Sequence, residues 1–306
     1  MKKGLKIGAA SLAALLVFGG VTGCGKKDKL PELPAARLSE TKDGSVCLSN
    51  DYSNECSGVN VHNLYEYLGR SDVKYIDLRR YSEEVLKTGT LKGFEHIDFF
   101  GDIYNSTTAE GTQLFNSDYT PKYTNSVALL EQLFPKNQIL FLSCASGGRV
   151  VHMMKILERY GWDMSKVYNV GGYNNYIKDA NYDNYKNYLV ELGSTVVTYK
   201  EGTYTETVGT ATYTANVKVV VDAQGKIENV YIVGDKEFTG TAGGEWTPET
   251  WLKTKYTFLN GLKGKTLADI NTMLGTTNTA SGSDVATGAS LSSNRVLKAV
   301  KDALSK

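Results

Sequence analysis

Apolar residues in the first half of the chain alternate between strand-like runs and helical spacing. An amphipathic helix ending near Gly69 is predicted by Val61, Leu64, Tyr65 and Leu68. Short apolar runs at 73–78, 138–143 and 167–170 have the composition of buried parallel strands. A second helix is predicted between the last two runs by Val150, Met153, Met154, Leu157 and Tyr160. This alternation favours an α/β domain with a parallel sheet flanked by helices.

The second half of the chain has a different texture. Residues 174–192 are rich in Tyr and Asn and predict a last helix of the first domain followed by a linker at 181–196. Runs rich in Val, Ile, Thr and Tyr then predict strands at 203–212, 216–222 and 226–233. The turn Asp222-Ala223-Gln224-Gly225 joins the last two as an antiparallel hairpin. A helix is expected at 246–262, and another at the end of the chain, with Leu297, Val300 and Leu304 as its buried face. We therefore expect a smaller α+β domain with antiparallel strands.

Composition narrows the class of protein. A chain of 306 residues has room for about two domains of ~150 residues. Its 34 basic and 33 acidic residues leave a formal charge of +1, which argues against a nucleic-acid partner. Four Cys are too few for a disulfide scaffold, and we expect no metal site.

The N-terminus has the features of an export signal. Lys2 and Lys3 precede an apolar run at 7–21, which is short for a membrane span. The run ends in Val21-Thr22-Gly23-Cys24, which resembles the lipobox of bacterial lipoproteins. The resemblance implies that residues 1–23 are a removed signal peptide and that Cys24 carries membrane lipid on the extracytoplasmic face of the cell membrane. An ordinary signal peptide cut near Gly23 is the alternative. The polar stretch 24–45 is predicted to be a flexible tether.

Cys47 and Cys56 follow the tether among Asp, Ser and Asn residues. Disulfides persist in exported proteins, so we expect these two residues to be joined. A metal site is disfavoured because two Cys are too few ligands and only His62 lies nearby in sequence.

The strand at 138–143 leads directly into a glycine-containing loop and then into a helix. That loop is Cys144, Ala145, Ser146, Gly147, Gly148 and Arg149. Consecutive backbone N–H groups and a helix N-terminus bind anions. With Arg149 beside it, Cys144 is expected to be held as a thiolate and to act as a nucleophile. A buried structural thiol is the alternative.

The surrounding residues resemble a rhodanese-type sulfurtransferase domain from about Cys56 to Tyr176, placed at 46–180. The matching parts are 75–79, 89–97, Cys144–Arg149 and Gly171-Gly172 followed by Tyr176. The resemblance implies that Cys144 carries a sulfane sulfur as persulfide, cradled by the N–H groups of residues 145–149, with Asp77 and Arg79 supporting the loop. Four residues between Cys144 and Arg149 match the sulfur-type loop rather than the longer phosphate type. Ala145 is neutral where the family often has a basic residue, and Tyr176 stands where Trp is commoner. His96 and His152 are expected to pack.

A second resemblance covers roughly residues 197–306. Glu201-Gly202-Thr203-Tyr204, the turn at 225–227 and the segment 284–293 resemble the FMN-binding domain of the C subunit of sodium-pumping NADH:quinone oxidoreductases and of Rnf complexes. The resemblance implies that a flavin transferase joins FMN to a hydroxyl, here Ser290, where threonine is usual. The remaining expected cofactor-binding residues are Asp284, Thr287, Gly288, Ala289, Ser292 and Ser293. Noncovalent FMN, an empty site, and plain helix caps at Thr287 and Ser290 are the alternatives.

Together these features predict a lipid-anchored extracytoplasmic flavoprotein. FMN would transfer electrons between unidentified partners, and the rhodanese-like domain would bind or transfer sulfur from a sulfane donor through Cys144. The chain would then be a sulfurtransferase, an FMN-dependent redox protein, or both. A second hypothesis is a non-enzymatic accessory lipoprotein whose rhodanese fold docks a redox partner. A third is a sulfurtransferase without flavin.

Overall fold

A computed structural model describes residues 31–80, 84–105, 113–190, 198–232, 256, 258–275 and 290–306. The chain divides into two units, Met1–Glu32 and Leu33–Lys306, and every helix and strand below belongs to the second. The predicted signal peptide and Cys24 lie outside the described residues. Within the ranges given above, no helix combines the length and apolar character needed to cross a membrane.

Four parallel strands form the sheet of the first domain. They are β1 (Val73–Asp77), β3 (Glu95–His96), β4 (Ile139–Cys144) and β5 (Val167–Gly172), in the order β3–β1–β4–β5. Alternate residues point to opposite faces. Ile76 and Leu142 therefore join one buried cluster, while Tyr75 and Phe141 join another. Both faces are covered, which explains the uninterrupted apolar runs in the sequence.

Helices and turns cover this sheet. The helices are α1 (Leu86–Thr88), α2 (Ser126–Leu133), α3 (Gly148–Arg159), α4 (Tyr173–Tyr176) and α5 (Asp179–Tyr185). A π-helical turn spans Phe99–Ile103 and a 3-10 turn spans Met164–Lys166. Helix α3 buries Val150, Met153 and Leu157, as its spacing predicts. The parallel sheet flanked by helices is thus confirmed.

The helix predicted from Val61 to Leu68 is a shorter 3-10 turn, Leu64–Tyr67. Asparagine side chains explain the difference. The Asn60 N–H donates to Asn63 Oδ1 at 2.8 Å, and Asn63 Nδ2 donates to the Gly58 carbonyl at 2.9 Å. Such side-chain bonds to the backbone compete with helical hydrogen bonding, so the segment remains a series of turns.

The folded region begins earlier than residue 46. Ala36 is buried, and the Tyr168 hydroxyl donates to the Pro34 carbonyl at 2.8 Å. The Leu38 N–H donates to the Cys56 carbonyl at 3.0 Å. Part of the predicted tether therefore packs on the sheet domain. The prediction fails there because these contacts involve residues distant in sequence, and no local periodicity signals them.

The predicted linker also contributes to the first domain. Strand β2 (Thr90–Leu91) pairs antiparallel with β6 (Leu189–Val190), so Leu189 is in a strand of the first domain although it falls within the predicted linker. Tyr185, the last residue of α5, is buried and donates through its hydroxyl to the Val61 carbonyl at 2.8 Å. These contacts fasten the chain to the first domain as far as residue 190.

A separate antiparallel sheet belongs to the C-terminal part. Its strands are β7 (Thr198–Val208), β8 (Ala211–Val221) and β9 (Ile227–Ile232), in that order. The strand predicted at 203–212 instead contains a hairpin turn at Gly209, where φ is +62°. The predicted turn at Asp222 is confirmed, since its Oδ1 accepts the N–H groups of Gln224 and Lys226 at 2.9 and 2.8 Å.

Two helices pack in this part, α6 (Leu267–Gly275) and α7 (Ser290–Ser305), with a 3-10 turn at Asn260–Leu262. Helix α7 lies against β7 and β8. Its Leu297, Val300 and Leu304 are buried, as the spacing predicts. Most of the helix predicted at 246–262 lies outside the described residues.

Candidate functional site

Cys144 lies at the carboxyl end of β4, where the chain turns into α3. Gly147 adopts φ +95°, a left-handed conformation that glycine tolerates, and α3 begins at Gly148. The turn brings the Gly147 N–H to 3.1 Å from Cys144 Sγ, to which it donates. The Cys144 side chain is buried, at 1% exposure. The arrangement places a sulfur, a backbone donor and a helix N-terminus together, as in loops that bind anions.

The loop packs directly on β5 because that strand ends in two glycines. Gly172 is opposite Cys144 in the register, and a Cβ there would overlap the backbone of Ala145 and Ser146. Asn169, a fully buried polar residue in the same strand, accepts the Gly171 N–H at 3.0 Å and donates to the Tyr52 carbonyl at 2.8 Å. Sequence reasoning missed Asn169, although a lone Asn in an apolar strand is a usable signal.

Arg149 is turned towards Glu84 in this structure. Its Nη1 and Nη2 donate to the two carboxylate oxygens at 2.6 and 2.5 Å, and the guanidinium lies 5.3 Å from the Phe100 ring centre. Burial alone would raise the pKa of Glu84, but the hydrogen bonds from Arg149 and the Arg80 N–H lower it. Burial by itself would lower the pKa of Arg149. The pKa is nevertheless raised, mainly by the hydrogen bond and the charge of Glu84 and to a smaller extent by the charge of Cys144. Glu84 was not predicted from the sequence.

A buried ion pair joins Asp77, the last residue of β1, to Arg79. Arg79 Nη2 is 2.6 Å from Asp77 Oδ2, and its Nη1 donates to Thr88 Oγ1 at 2.8 Å. The guanidinium also stacks over the Tyr173 ring at 4.3 Å. These contacts hold β1 to α1 and α4. The support of the Cys144 loop that the rhodanese resemblance implies for Asp77 and Arg79 stays a prediction.

The two histidines lie in packed surroundings. His96 Nε2 is 3.0 Å from Thr90 Oγ1, and burial lowers its pKa to about 4, so the ring is neutral at pH 7. His152 Nδ1 is 2.6 Å from the Tyr119 hydroxyl, and its ring stacks on Tyr104 with centres 5.3 Å apart.

Cys47 and Cys56 are joined by a disulfide, with their Cα atoms 5.7 Å apart. The Cys47 N–H donates to the Ser39 carbonyl at 2.9 Å. The disulfide therefore connects the segment around Ser39 and Cys47 to the turn before Val59. Both are distant in sequence from the Cys144 loop. Among the described residues, no three His, Cys, Asp or Glu side chains converge in the manner of metal ligands.

The predicted flavin segment is only partly described. Asp284, Thr287, Gly288 and Ala289 lie outside the described residues, and the side chains of Ser290 and Ser292 do too. Ser290 is the first residue of the helix α7, and Ser293 is buried at 3% exposure. The N-terminus of a helix attracts phosphate, and Ser290 is the residue at this end of α7.

Helix α7 approaches β7 closely because of Gly202. A Cβ at Gly202 would overlap the Ala299 carbonyl and the Ala303 N–H. The Thr203 N–H then donates to Asp302 Oδ2 at 2.9 Å. The Gly202-Thr203 pair of the sequence motif thus sets the position of the helix that begins at Ser290.

Charged side chains line the first half of α7. Arg295 is almost fully buried, donates to Glu206 Oε1 at 2.5 Å and stacks over the Tyr213 ring at 3.9 Å. Lys298 Nζ donates to the Tyr204 hydroxyl at 2.9 Å. The hydrogen bond from Arg295 lowers the pKa of Glu206, so this carboxylate stays ionised at neutral pH.

Comparison with known proteins identifies the C-terminal part. Residues 196–305, about a third of the chain, match the family model of the FMN-binding domain. The comparisons with curated proteins and with solved structures each found no match. The cofactor predicted from the sequence is thereby confirmed. Residues 196–305 form an FMN-binding domain, and FMN is the cofactor of this part of the chain.

Proposed function

We propose that this protein is a lipid-anchored, extracytoplasmic electron carrier whose rhodanese-like domain binds or transfers sulfane sulfur at Cys144. FMN supplies one-electron and two-electron redox chemistry when bound. The observation that carries the sulfur part is the Gly147 N–H donating to Cys144 Sγ at 3.1 Å, at the turn between β4 and α3. A backbone donor at that position stabilises a sulfur anion on Cys144.

The proposed sulfur chemistry has two steps. In the first, the Cys144 thiolate attacks the sulfane sulfur of a donor, the donor's S–S bond breaks, and a persulfide forms on Cys144. With thiosulfate as donor, sulfite leaves with the electron pair of that bond. In the second, a nucleophile such as cyanide takes the outer sulfur as thiocyanate, and the Cys144 thiolate returns. The N–H of Gly147 and the N-terminus of α3 support the negative charge in both steps.

A transfer assay tests the sulfur chemistry. Full-length protein is incubated with thiosulfate or a low-molecular-weight persulfide, and thiocyanate is measured after cyanide is added. We expect turnover in the parent protein, none in Cys144→Ser, and unchanged turnover in Ser165→Ala, a matched serine variant on an exposed turn. Absence of Cys144-dependent transfer with both donors would reject the enzymatic proposal.

The attachment of FMN is a second part of the proposal. We propose a phosphoester to Ser290, made by a flavin transferase, because Ser290 is the first residue of α7 and follows the pattern Asp284, Thr287, Gly288, Ala289. After co-expression with a flavin transferase, the parent protein should fluoresce on a denaturing gel. Ser290→Ala should lose that fluorescence, and Ser305→Ala, at the other end of the same helix, should keep it. Fluorescence retained by Ser290→Ala would contradict the site.

Membrane anchoring rests on the sequence motif that ends at Cys24. The intact mass of protein purified from a bacterial membrane tests it together with the cofactor, since acyl chains, FMN and a persulfide add different masses. A mass equal to that of the chain cut at an ordinary signal-peptide site would reject lipidation.

One observation favours the accessory, non-enzymatic function as a second candidate. Cys144 is 1% exposed and Arg149 is engaged by Glu84 rather than by the loop. A rhodanese-like fold in this state could serve as a docking module for a redox partner. Equal electron transfer by the parent protein and Cys144→Ser, with no sulfur transfer by either, would support this candidate.

A further inference from the structure

The FMN-binding part contacts the first domain through Tyr256. Its hydroxyl donates to the buried Asp102 carboxylate and accepts the Asp98 N–H at 3.1 Å. The nearby Phe258 and Leu259 are buried at 2% and 3% exposure and belong to the same apolar cluster as Phe99. Tyr256 and Asp102 are 154 positions apart in sequence and share a hydrogen bond, and buried apolar residues of both domains lie in one cluster nearby.

This contact lies at the carboxyl edge of the parallel sheet. The Ile97 N–H donates at 3.0 Å to the carbonyl of Asp77, the last residue of β1. The Phe99 N–H donates at 3.3 Å to the carbonyl of Leu78, the next residue along the chain. The Leu78 N–H in turn donates at 2.8 Å to the carbonyl of Ser143, the residue before Cys144. Ligands of open α/β sheets bind at this edge. The FMN-binding part thus meets the first domain at the edge from which the Cys144 loop extends.

A chain of polar contacts links Tyr256 to the loop. Asp98 Oδ2 accepts Arg80 Nε at 2.8 Å, and the Arg80 N–H donates to Glu84 Oε2 at 3.0 Å. Glu84 holds Arg149, the last residue of the loop. The exposed Phe100, between the two aspartates, lies beneath the Arg149 guanidinium. Displacing Tyr256 would therefore disturb the segment that supports Arg149.

Two further facts agree with a contact at this edge. Lys263 of the FMN-binding part is near enough to His96, the last residue of β3, to contribute to its lowered pKa. Burial and the charge of Asp102 raise the pKa of Tyr256 well above the usual range, so its hydroxyl remains a donor at neutral pH.

We propose that Tyr256 is a positioning residue that clamps the FMN-binding domain over the approach to the Cys144 loop, through Asp98 and Asp102. The clamp limits access of small reagents to Cys144, and its release exposes the thiol. It places the flavin domain and the sulfur site at one edge of the sheet. The role of this clamp rests on the sulfur chemistry proposed above. The clamp itself is tested by measurements that need no sulfur transfer.

The test compares Tyr256→Phe with Tyr199→Phe in the full-length, FMN-containing protein. Tyr199 is 53% exposed on β7 and serves as the matched control. Two rates are measured: hydrogen–deuterium exchange in the peptide that contains Asp98 and Asp102, and alkylation of Cys144 by iodoacetamide, followed by peptide mass. A buried hydrogen bond to a charged group is lost in Tyr256→Phe, so both rates should rise about tenfold or more. Tyr199→Phe should keep the parental rates.

A second variant guards against misfolding. Asp102→Asn keeps an acceptor for the Tyr256 hydroxyl but removes the charge, and it should give smaller increases in both rates. Parental rates in both Tyr256→Phe and Asp102→Asn would overturn the proposal. So would faster exchange without faster alkylation, because the contact would then not cover Cys144. Failure of the sulfur-transfer assay would leave these rates unaffected, so the two proposals fail separately.

Discussion

Arg149 is bound at both guanidinium Nη atoms by the carboxylate of Glu84, so the one arginine of the Cys144 loop is neutralised from outside the loop. Glu84 contributes no atom to the loop itself. Its position is set by the Arg80 N–H, which donates to Glu84 Oε2 at 3.0 Å. An anion entering the loop must compete with this carboxylate for Arg149.

Glu84→Gln should therefore increase the affinity of the loop for anionic sulfur donors. Removing the competing charge frees Arg149, and we expect thiosulfate to bind about tenfold more tightly, which corresponds to roughly 1.4 kcal/mol. Isothermal titration calorimetry with Cys144→Ser in both backgrounds measures binding without turnover. Glu131→Gln removes an exposed carboxylate elsewhere and should leave the affinity unchanged. Unchanged binding in Glu84→Gln would mean that Arg149 does not receive the anion.

His96 should make the folded state sensitive to mild acid. Burial lowers its pKa from 6.5 to about 4, in surroundings that include Asp77, Arg79 and Lys263. A pKa depressed on folding contributes stability that is complete above pH 6.5 and is lost as the pH falls towards 4. Between pH 7 and pH 5 we expect a loss of about 2 kcal/mol in the free energy of unfolding.

Urea unfolding at the two pH values measures this loss. In His96→Gln the difference between pH 7 and pH 5 should shrink by that amount. The variant His62→Gln, at an exposed position, should retain the parental difference. The same pH dependence in the parent and in His96→Gln would assign the acid sensitivity to other groups.

Gly172→Ala should displace the Cys144 loop. The added methyl group would overlap the backbone of Ala145 and Ser146, which cannot move as a side chain can. Overpacking of this kind costs about 1–3 kcal/mol of folding stability. Gly148→Ala is the matched control, because a Cβ there meets nothing within 4 Å at the first position of α3. Unfolding midpoints and the alkylation rate of Cys144 should change only in Gly172→Ala, and equal values in the two variants would contradict the loop geometry.

Gly202→Ala should impair flavin incorporation without touching the predicted FMN residues. A methyl group there would push α7 away at Ala299 and Ala303 and so shift the helix that begins at Ser290. We expect a lower FMN content per protein, measured by absorbance, and a loss of about 1–3 kcal/mol in stability. Gly261→Ala, where a Cβ has open space, should keep the parental flavin content. Full incorporation by Gly202→Ala would show that α7 need not pack so closely.

Reduction of the disulfide should loosen the N-terminal segment. The bond joins residues 9 positions apart, and the chain-entropy relation gives about 2–3 kcal/mol for such a loop. Urea unfolding with and without dithiothreitol should show this difference in the parent protein. The double variant Cys47→Ser, Cys56→Ser should be destabilised already and should not respond to the reductant. A parent protein indifferent to the reductant would show that the bond contributes no net stability.

The sequence by itself determined the features that depend on neighbouring residues. The strand, loop and helix around Cys144, the Asp222 hairpin turn and the buried stripe of α7 follow from apolar spacing and turn chemistry. These signals are local, because side-chain direction in a strand or helix repeats within a few residues. The FMN cofactor was also identifiable, because the resemblance that implies it rests on short runs of residues, and the family match at 196–305 confirms the cofactor.

Only the tertiary structure decided which distant residues meet. The Glu84–Arg149 pair, the pairing of Leu189 with Leu91 and the contact of Tyr256 with Asp102 join segments that share no periodic pattern. The turn at Leu64–Tyr67 depends likewise on bonds from Asn63 to the backbone of neighbouring turns rather than on apolar spacing. Burial gives such polar groups a strong requirement for a partner, but it does not encode in the local sequence which partner satisfies it.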